Sequence, residues 1–408
     1  VHINNPFVSL RHRSYRYYAL GMLVSQIGTW MQNIAQPWLA YRLTGSPLQL
    51  SLVGALQFLP VLLFSLPVGV LIDKFPRKRI ILITQAASLL ITLTLAILTL
   101  TGRIRYGHLL VMASLLGLVN TLDVPTRQTF VVELVGRDDL MNAIALNSTT
   151  FNLSRVLGPA IAGLIMAYLG VAYCFLINAI SFAAVLISFI WIHPLPAPRA
   201  AKPKGRVWSE LCQGLRYIRS QPVVIEILVL IAIIATFIPN FGVLVPVFAS
   251  DILHLSEASF GFLMMFLGLG SFIGAITVAS ISRLGPNRQI LRYGPLLAGV
   301  CMILIGTSTS FAGAALFLAA TGLVFVTLTA NANSTIQLHV PDAYRGRVMS
   351  TYALLMGGST PLGNLYAGTL SEHFGARVGF WACGSIVLLL LGVRLLIRLI
   401  RKPGPGSL

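Results

Sequence analysis

The chain has 408 residues, 56% of them apolar and only 10% charged, with a mean hydropathy of +0.84. Soluble domains carry about 25% charged residues, and a water-soluble fold of this length would need a wide polar shell; a soluble globular enzyme and a disordered chain are both excluded. Twenty-nine Lys and Arg stand against eleven Asp and Glu, a net charge of +18, yet they sit in short runs between apolar stretches rather than on one soluble face, so nucleic acid is not an expected partner.

A membrane-crossing helix needs about 20 mostly apolar residues. Such windows recur at 17–41, 48–72, 80–101, 107–125, 141–168, 171–193, 223–250, 258–282, 290–309, 312–338, 346–371 and 377–400. Twelve spans are therefore predicted, in an all-α polytopic membrane protein. The first apolar stretch is too long for the core of a signal peptide, so none is expected. One connection, 194–222, is longer than the rest. It opens with Pro194, Pro196, Pro198 and Pro203, which cannot continue a helix. It then turns amphipathic through Trp208, Leu211, Leu215, Tyr217 and Ile218, with Arg216 and Arg219 on the wet side. The predicted organisation is a six-helix bundle over 1–193, a cytoplasmic linker with an amphipathic helix over 194–222, and a second six-helix bundle over 223–408.

Basic residues divide unevenly between the two sides. With the N-terminus inside, 24 Lys and Arg fall on the cytoplasmic side and 4 (Arg42, Arg103, Arg105 and Arg377) on the other, with Arg155 inside a span. Because the Lys/Arg bias sets orientation, both termini are expected in the cytoplasm, and the high net charge is a topology signal.

The halves repeat. At a constant shift of 205, Gly117-Leu118-Val119 falls on Gly322-Leu323-Val324, while Ser154, Leu157, Gly158, Ala162, Gly163 and Gly170 fall on Ser359, Leu362, Gly363, Ala367, Gly368 and Gly375. A fixed register over two helices argues for duplication. Two parallel six-helix repeats are a known transporter plan, with the substrate site at the membrane midplane between them.

Two motifs carry a family resemblance. After span 2 the chain reads Gly69-Val-Leu71-Ile-Asp73-Lys74-Phe-Pro76-Arg77-Lys78-Arg79. This resembles the cytoplasmic loop signature of the major facilitator superfamily, with Pro76 where that pattern has its second Gly. A degenerate copy, Ser282-Arg283-Leu284-Gly285, follows span 8. The resemblance implies a latch in which Asp73 caps the start of span 11, where a carboxylate is favoured, and the basic run meets acids at the end of span 4. The alternative is ordinary inside-loop charge. In span 5, Ser154-Arg155-Val-Leu-Gly158-Pro159-Ala-Ile-Ala162-Gly163 is similar to the superfamily's antiporter motif, which is associated with exporters. Gly158 and Gly163 allow close backbone approach and Pro159 bends the helix; a tolerated kink is the other reading. The stretches from Ile27 in span 1 and from Pro125 after span 4 resemble the bacterial branch of enterobactin exporters and drug:proton antiporters.

Candidate site residues follow. Arg155 is costly at mid-span and shares a face with Asn152 and Ser148. It is read either as a cation for an anionic or polar substrate or as a residue satisfied by carbonyls or by Asp123. Span 1 carries Gln32, Asn33 and Gln36, which could line a cavity or make interhelical bonds; Asn120, Asn240, Asn331 and Asn364 complete the predicted lining. Of the eleven acids only Asp123 and, less centrally, Glu226 lie in or at the margin of a span. Asp123 is therefore the candidate for proton coupling, expected to pair with Arg77 and Arg127; a static ion pair is the alternative.

No nucleotide-binding loop, nucleophile elbow or metal-spaced His/Cys cluster occurs, and the four cysteines are scattered. No catalytic residue, metal, cofactor or disulfide is expected. The resemblance implies a monomeric, proton-coupled exporter of small amphiphilic molecules, drugs or siderophores, working by alternating access in the bacterial inner membrane. A lipid flippase or a non-transporting sensor of the same fold are the alternatives.

Overall fold

A computed structural model describes residues 7–195, 207–281 and 285–400, apart from some side chains within helices. The linker prolines Pro196, Pro198 and Pro203, and Ser282, Arg283 and Leu284 of the second loop motif, lie outside the described residues, as do the side chains of Gly69 and Asp73. The regular secondary structure of the described residues is all helical, with no strand.

The first six helices are α1 (Arg13–Thr44), α2 (Pro47–Lys74), α3 (Arg77–Leu100), α4 (Tyr106–Val135), α5 (Leu140–Tyr168) and α6 (Val171–Ser188). After the short α7 (Val207–Ser220) come α8 (Pro222–Phe237), α9 (Phe241–Val247), α10 (Glu257–Ile281), α11 (Arg288–Thr307), α12 (Phe311–His339), α13 (Asp342–Gly358), α14 (Thr360–Phe374) and α15 (Ala376–Ile400).

Among the described residues, ten helical stretches are long and apolar enough to cross a membrane. The two predicted spans not among them each have a physical cause. Helix α1 has 32 residues, ample length, but its amides and hydroxyls dilute its apolar character. The window 346–371 is not one helix: it breaks at Ser359, where α13 ends and α14 begins with Pro361 in its first turn. A similar break at Ile238–Asn240 divides α8 from α9, and the same segment closes with a π-turn over Phe248–Ile252. Proline is tolerated inside α1, α4, α5 and α11 because neighbouring helices and hydroxyl side chains re-satisfy the freed backbone groups.

The chain forms two compact units. One comprises 1–45, 56–201 and 256–265; the other comprises 46–55, 202–255 and 266–408. The first unit packs Tyr15, Tyr18, Met22, Ile81, Phe130, Leu134 and Phe189 into one apolar cluster. Within it Phe130 and Phe189 stack at 5.9 Å and Tyr18 meets both edge-on. The second unit gathers Ile227, Ile231, Ile336, Val348 and Tyr352 around the end of α7, where Tyr217 stacks on Tyr344 at 4.3 Å.

Lipid is as apolar as leucine, so helices in a bilayer associate through close packing of small residues rather than through water exclusion. The repeated glycines show this. In the first unit a Cβ on Gly163 would lie 2.9 Å from the Ala258 carbonyl and the Gly261 Cα of α10. In the second, a Cβ on the equivalent Gly368 would collide with the Ser51 side chain and lie 2.8 Å from the Pro47 carbonyl of α2. Positions related by 205 residues thus perform the same close crossing in each unit.

Candidate functional site

Asp123, in the second half of α4, is 2% exposed. Its Oδ1 accepts hydrogen bonds from Thr84 Oγ1 at 2.7 Å and Gln85 Nε2 at 3.0 Å, both on α3. Its Oδ2 meets the Arg127 guanidinium at 2.6 Å. Arg127 sits one turn further along α4, where i and i+4 side chains share a face, and its other terminal nitrogen approaches the Met22 sulfur at 3.6 Å. The pairing expected with Arg77 is corrected. Arg77 binds Glu133 at 2.5 Å, and neighbouring Lys78 donates to the Ile192 carbonyl at 2.7 Å. The antiparallel register of α3 against α4 explains this. The first residue of α3 reaches the end of α4, and only two turns later do Thr84 and Gln85 come level with Asp123.

Of the predicted amides of α1, Gln32 and Gln36 are buried where α1 packs on α3 and α6. Gln32 Oε1 accepts from Asn178 Nδ2 at 2.6 Å and from Thr92 Oγ1 at 3.2 Å, and Gln32 Nε2 donates to Gln36 Oε1 at 3.2 Å. Ser181 completes the chain by donating to Asn178 Oδ1 at 3.0 Å. Gln32 and Gln36 are 4% and 3% exposed; Gln32 serves here as an interhelical link, while Gln36 bonds Gln32 of its own helix and its Nε2 has no partner among the described residues. Thr92, Asn178 and Ser181 were not singled out in the sequence. Their signal was available, as isolated polar residues in strongly apolar spans.

Arg155 lies near the middle of α5. Among the described residues its guanidinium has no hydrogen-bond or ion-pair partner; it rests over the Trp30 ring of α1, 5.7 Å from the centroid. Trp30 in turn meets Phe151 edge-on at 5.7 Å. The antiporter-type glycine sets this arrangement: a Cβ on Gly158 would collide with the Trp30 Cβ and sit 3.3 Å from the Ile27 carbonyl. Only glycine lets α1 and α5 cross closely enough to slide the indole beneath the guanidinium. A cation–π contact is worth about 0.5–2 kcal/mol, whereas a guanidinium at mid-span costs about 2.5–3.5 kcal/mol on insertion scales. The contact therefore orients the charge without fully compensating it. Asp123, one of the partners suggested by sequence, is taken by Arg127.

Helix α5 has two exposed faces. Leu153, Leu157 and Leu164 form one, each about two-fifths exposed. Ser148, Phe151, Asn152 and Arg155 lie on the opposite side and are exposed or half-buried. An apolar face suits hydrocarbon; a face carrying an arginine and an amide belongs to water or cargo.

The remaining predicted residues are dispersed. Asn33 is exposed and Asn120 half-buried. Asn152 Nδ2 donates back to the Ser148 carbonyl at 2.9 Å. In the second unit Asn240 is fully buried at the α8–α9 break, donating to the Thr236 and Phe237 carbonyls while its Oδ1 stays unpaired. Asn331 ties α12 to the start of α11 by accepting from the Asn287 amide at 2.7 Å. Asn364 is buried against Gly54, within the same unit. Of the loop motif, Lys74 is exposed and Pro159 of the span 5 motif is buried.

A further polar cluster lies at the α4–α5 turn. Asp139 Oδ2 receives Arg11 at 2.9 Å and His12 Nε2 at 2.7 Å, and Ser9 Oγ donates to the Asp139 carbonyl at 3.0 Å. The His12 hydrogen bond, with Arg11 beside it, holds the Asp139 carboxyl below the usual aspartate range. This N-terminal tie was not read from the sequence.

With this geometry the chain can be set beside known proteins. A family model described as transmembrane secretion effector, of the major facilitator superfamily, matches residues 4–403. The chain belongs to this family. The chain is 29% identical over 380 residues to the multidrug efflux pump Tap of Mycolicibacterium fortuitum, covering 91% of this chain and 92% of that one. It is 25% identical over 393 residues to the enterobactin exporter EntS of Escherichia coli, with coverage of 95% and 92%. The staphyloferrin A transporter of Staphylococcus aureus is 22% identical over 363 residues, with coverage of 88% and 90%. Among solved structures, a bacterial homologue of the human lysosomal transporter Spinster matches with a TM-score of 0.76 at 13% identity, over 99% of this chain and all of that one. That likeness shows the shared fold. This major facilitator protein is thus a multi-pass membrane transporter of small-molecule substrates and not an enzyme.

Proposed function

We propose that this transporter is a proton-coupled exporter of small amphiphilic molecules, drugs or siderophores, working as a monomer by alternating access. The observation that carries the reading is the buried Asp123–Arg127 pair, held by Thr84 and Gln85 between α3 and α4. A charge pair withdrawn from water is stable only while both partners are present. A proton delivered to Asp123 removes one partner and frees Arg127, giving a gradient a place to act on the packing of α3 and α4. The alternating polar and apolar faces of α5, and the resemblance to efflux pumps and siderophore exporters, support export as the direction. The 24-to-4 division of basic residues supports both termini in the cytoplasm of a bacterial inner membrane. Asp73, Lys74, Arg77 and Lys78 fit a cytoplasmic latch, and Asn33, Asn152 and Arg155 fit cargo contacts.

Reconstitution into liposomes with an imposed pH gradient tests this. The expected result is gradient-driven accumulation of compounds from a panel of drugs and siderophores, with a matching proton movement, that is lost in Asp123→Asn. Full proton-driven flux in that variant would remove Asp123 as the coupling group; cargo movement indifferent to the gradient would remove proton coupling altogether.

A further inference from the structure

We infer that the cargo recognised on α1 and α5 is an anion with a planar aromatic part, held by Arg155, Trp30 and Phe151. This rests on the export reading above and specifies the chemistry of its site. Three observations converge. First, among the described residues the Arg155 guanidinium has no carboxylate, hydroxyl or carbonyl to bind; it lies over the face of an indole. An indole face orients a cation but brings no negative charge, so electroneutrality at this depth is left for a bound molecule to supply. Second, the buried carboxylate nearest in kind, Asp123, is engaged by Arg127, Thr84 and Gln85, so it does not compete. Third, Trp30 and Phe151 form an edge-to-face corner at 67° beside the cation, and Phe151 is 43% exposed. A flat ring stacks in such a corner while its acidic substituent meets the guanidinium, which donates in a planar fork suited to carboxylates.

A cationic amphiphile gains the aromatic corner but is repelled by Arg155. The site therefore discriminates by sign of charge, and Asn152, one turn before Arg155 on the same face, is the position from which that sign can be cancelled.

Fluorescein and rhodamine 123 share a xanthene core and carry opposite charge, which makes them the probes. Binding of each to the full chain in lipid nanodiscs is read by fluorescence anisotropy, and flux of each in proteoliposomes under a pH gradient. Wild type is expected to prefer fluorescein by about tenfold or more, the size of one charge-assisted contact. Arg155→Gln and Asn152→Asp should each collapse that preference, the second by placing a carboxylate beside an intact Arg155. Arg155→Lys should keep most of it. Should Arg155→Gln fail to fold, Asn152→Asp carries the test alone. Rhodamine 123 binding as tightly as fluorescein, no binding of fluorescein, or equal weakening of both dyes by Asn152→Asp would overturn the anionic class. Fluorescein bound with the expected variant pattern but never moved by the gradient would leave the class standing and sink the export reading instead.

Discussion

The two units use one set of helix crossings and two different chemistries. Gly163 and Gly368, at the same place in each repeat, press α5 against α10 and α14 against α2. Gly158 and Gly363 do likewise against α1 and α8, where Trp30 and the Thr236 carbonyl leave no room for a Cβ. The charges do not repeat. Positions 205 residues beyond Asp123, Arg127 and Arg155 hold Leu328, Ala332 and Thr360, and Leu328 and Ala332 are fully buried. The crossings thus recur at the 205-residue register, whereas the Asp123–Arg127 pair and the Arg155 cation have no charged counterpart at the equivalent positions. The energetic logic is consistent: a crossing built on small residues suits any bilayer helix pair, whereas an embedded charge is retained where it does something.

This contrast can be broken most strongly at the ion pair. Arg127→Ala should strand Asp123 in the interior and cost about 3–5 kcal/mol, read as a lowered melting temperature in detergent. Copying the second repeat into the first, with Asp123→Leu and Arg127→Ala together, should recover most of that stability, since apolar replacement of a buried pair is often neutral or better. Gradient-driven flux should nevertheless stay abolished. If the double variant is as unstable as the single one, the two repeats differ in packing as well as in charge.

Next come the crossings. Gly158→Val and Gly363→Val should each destabilise by about 1–3 kcal/mol through overpacking, and by similar amounts, as thermal melting would measure. A large effect at one position alone would deny their equivalence. A smaller effect is expected from the amide links of the first unit. Asn178→Ala should cost about 1 kcal/mol, the usual scale of an interhelical hydrogen bond in a bilayer, with cargo affinity in the flux assay little changed.

The smallest effect is at the N-terminal tie. The Asp139 carboxyl is held below its ordinary range by His12 and Arg11. The tie is therefore fully present above the ordinary aspartate pKa of about 3.9 and is lost as pH falls through the lowered folded value. Proteolytic nicking of the N-terminal turn should increase only in that acid window, and Asp139→Asn should show the increased nicking already at neutral pH.

Much of the scaffold was legible because it follows from one-dimensional signals. Apolar length gave the spans, and the 205-residue register gave the repeat. The two discrepancies were local: α1 is long but amide-rich, and the predicted eleventh span breaks at Ser359, whose proline two residues on was visible but not decisive. The site was legible only in part. That Arg155 and Asp123 are anomalous follows from composition; which groups they meet does not. Whether Asp123 pairs with Arg77 or Arg127 depends on the α3–α4 register, and whether Gln32 lines a cavity or bonds Asn178 depends on how α1 is rotated. Neither quantity is written in a single helix. Trp30 beneath Arg155 is likewise a product of the closeness that Gly158 permits.

The make-up of the compact units bears on biosynthesis. Residues 256–265, at the start of α10, belong with the first unit, and 46–55, at the start of α2, with the second. The first unit cannot be completed when the ribosome passes residue 201; it must wait for the chain out to 265, roughly 3–13 s later at ordinary elongation rates. Until then the first unit is expected to lack the α10 strip that packs beside Gly163, and separate synthesis of the two halves should yield fragments each missing a strip of its own wall.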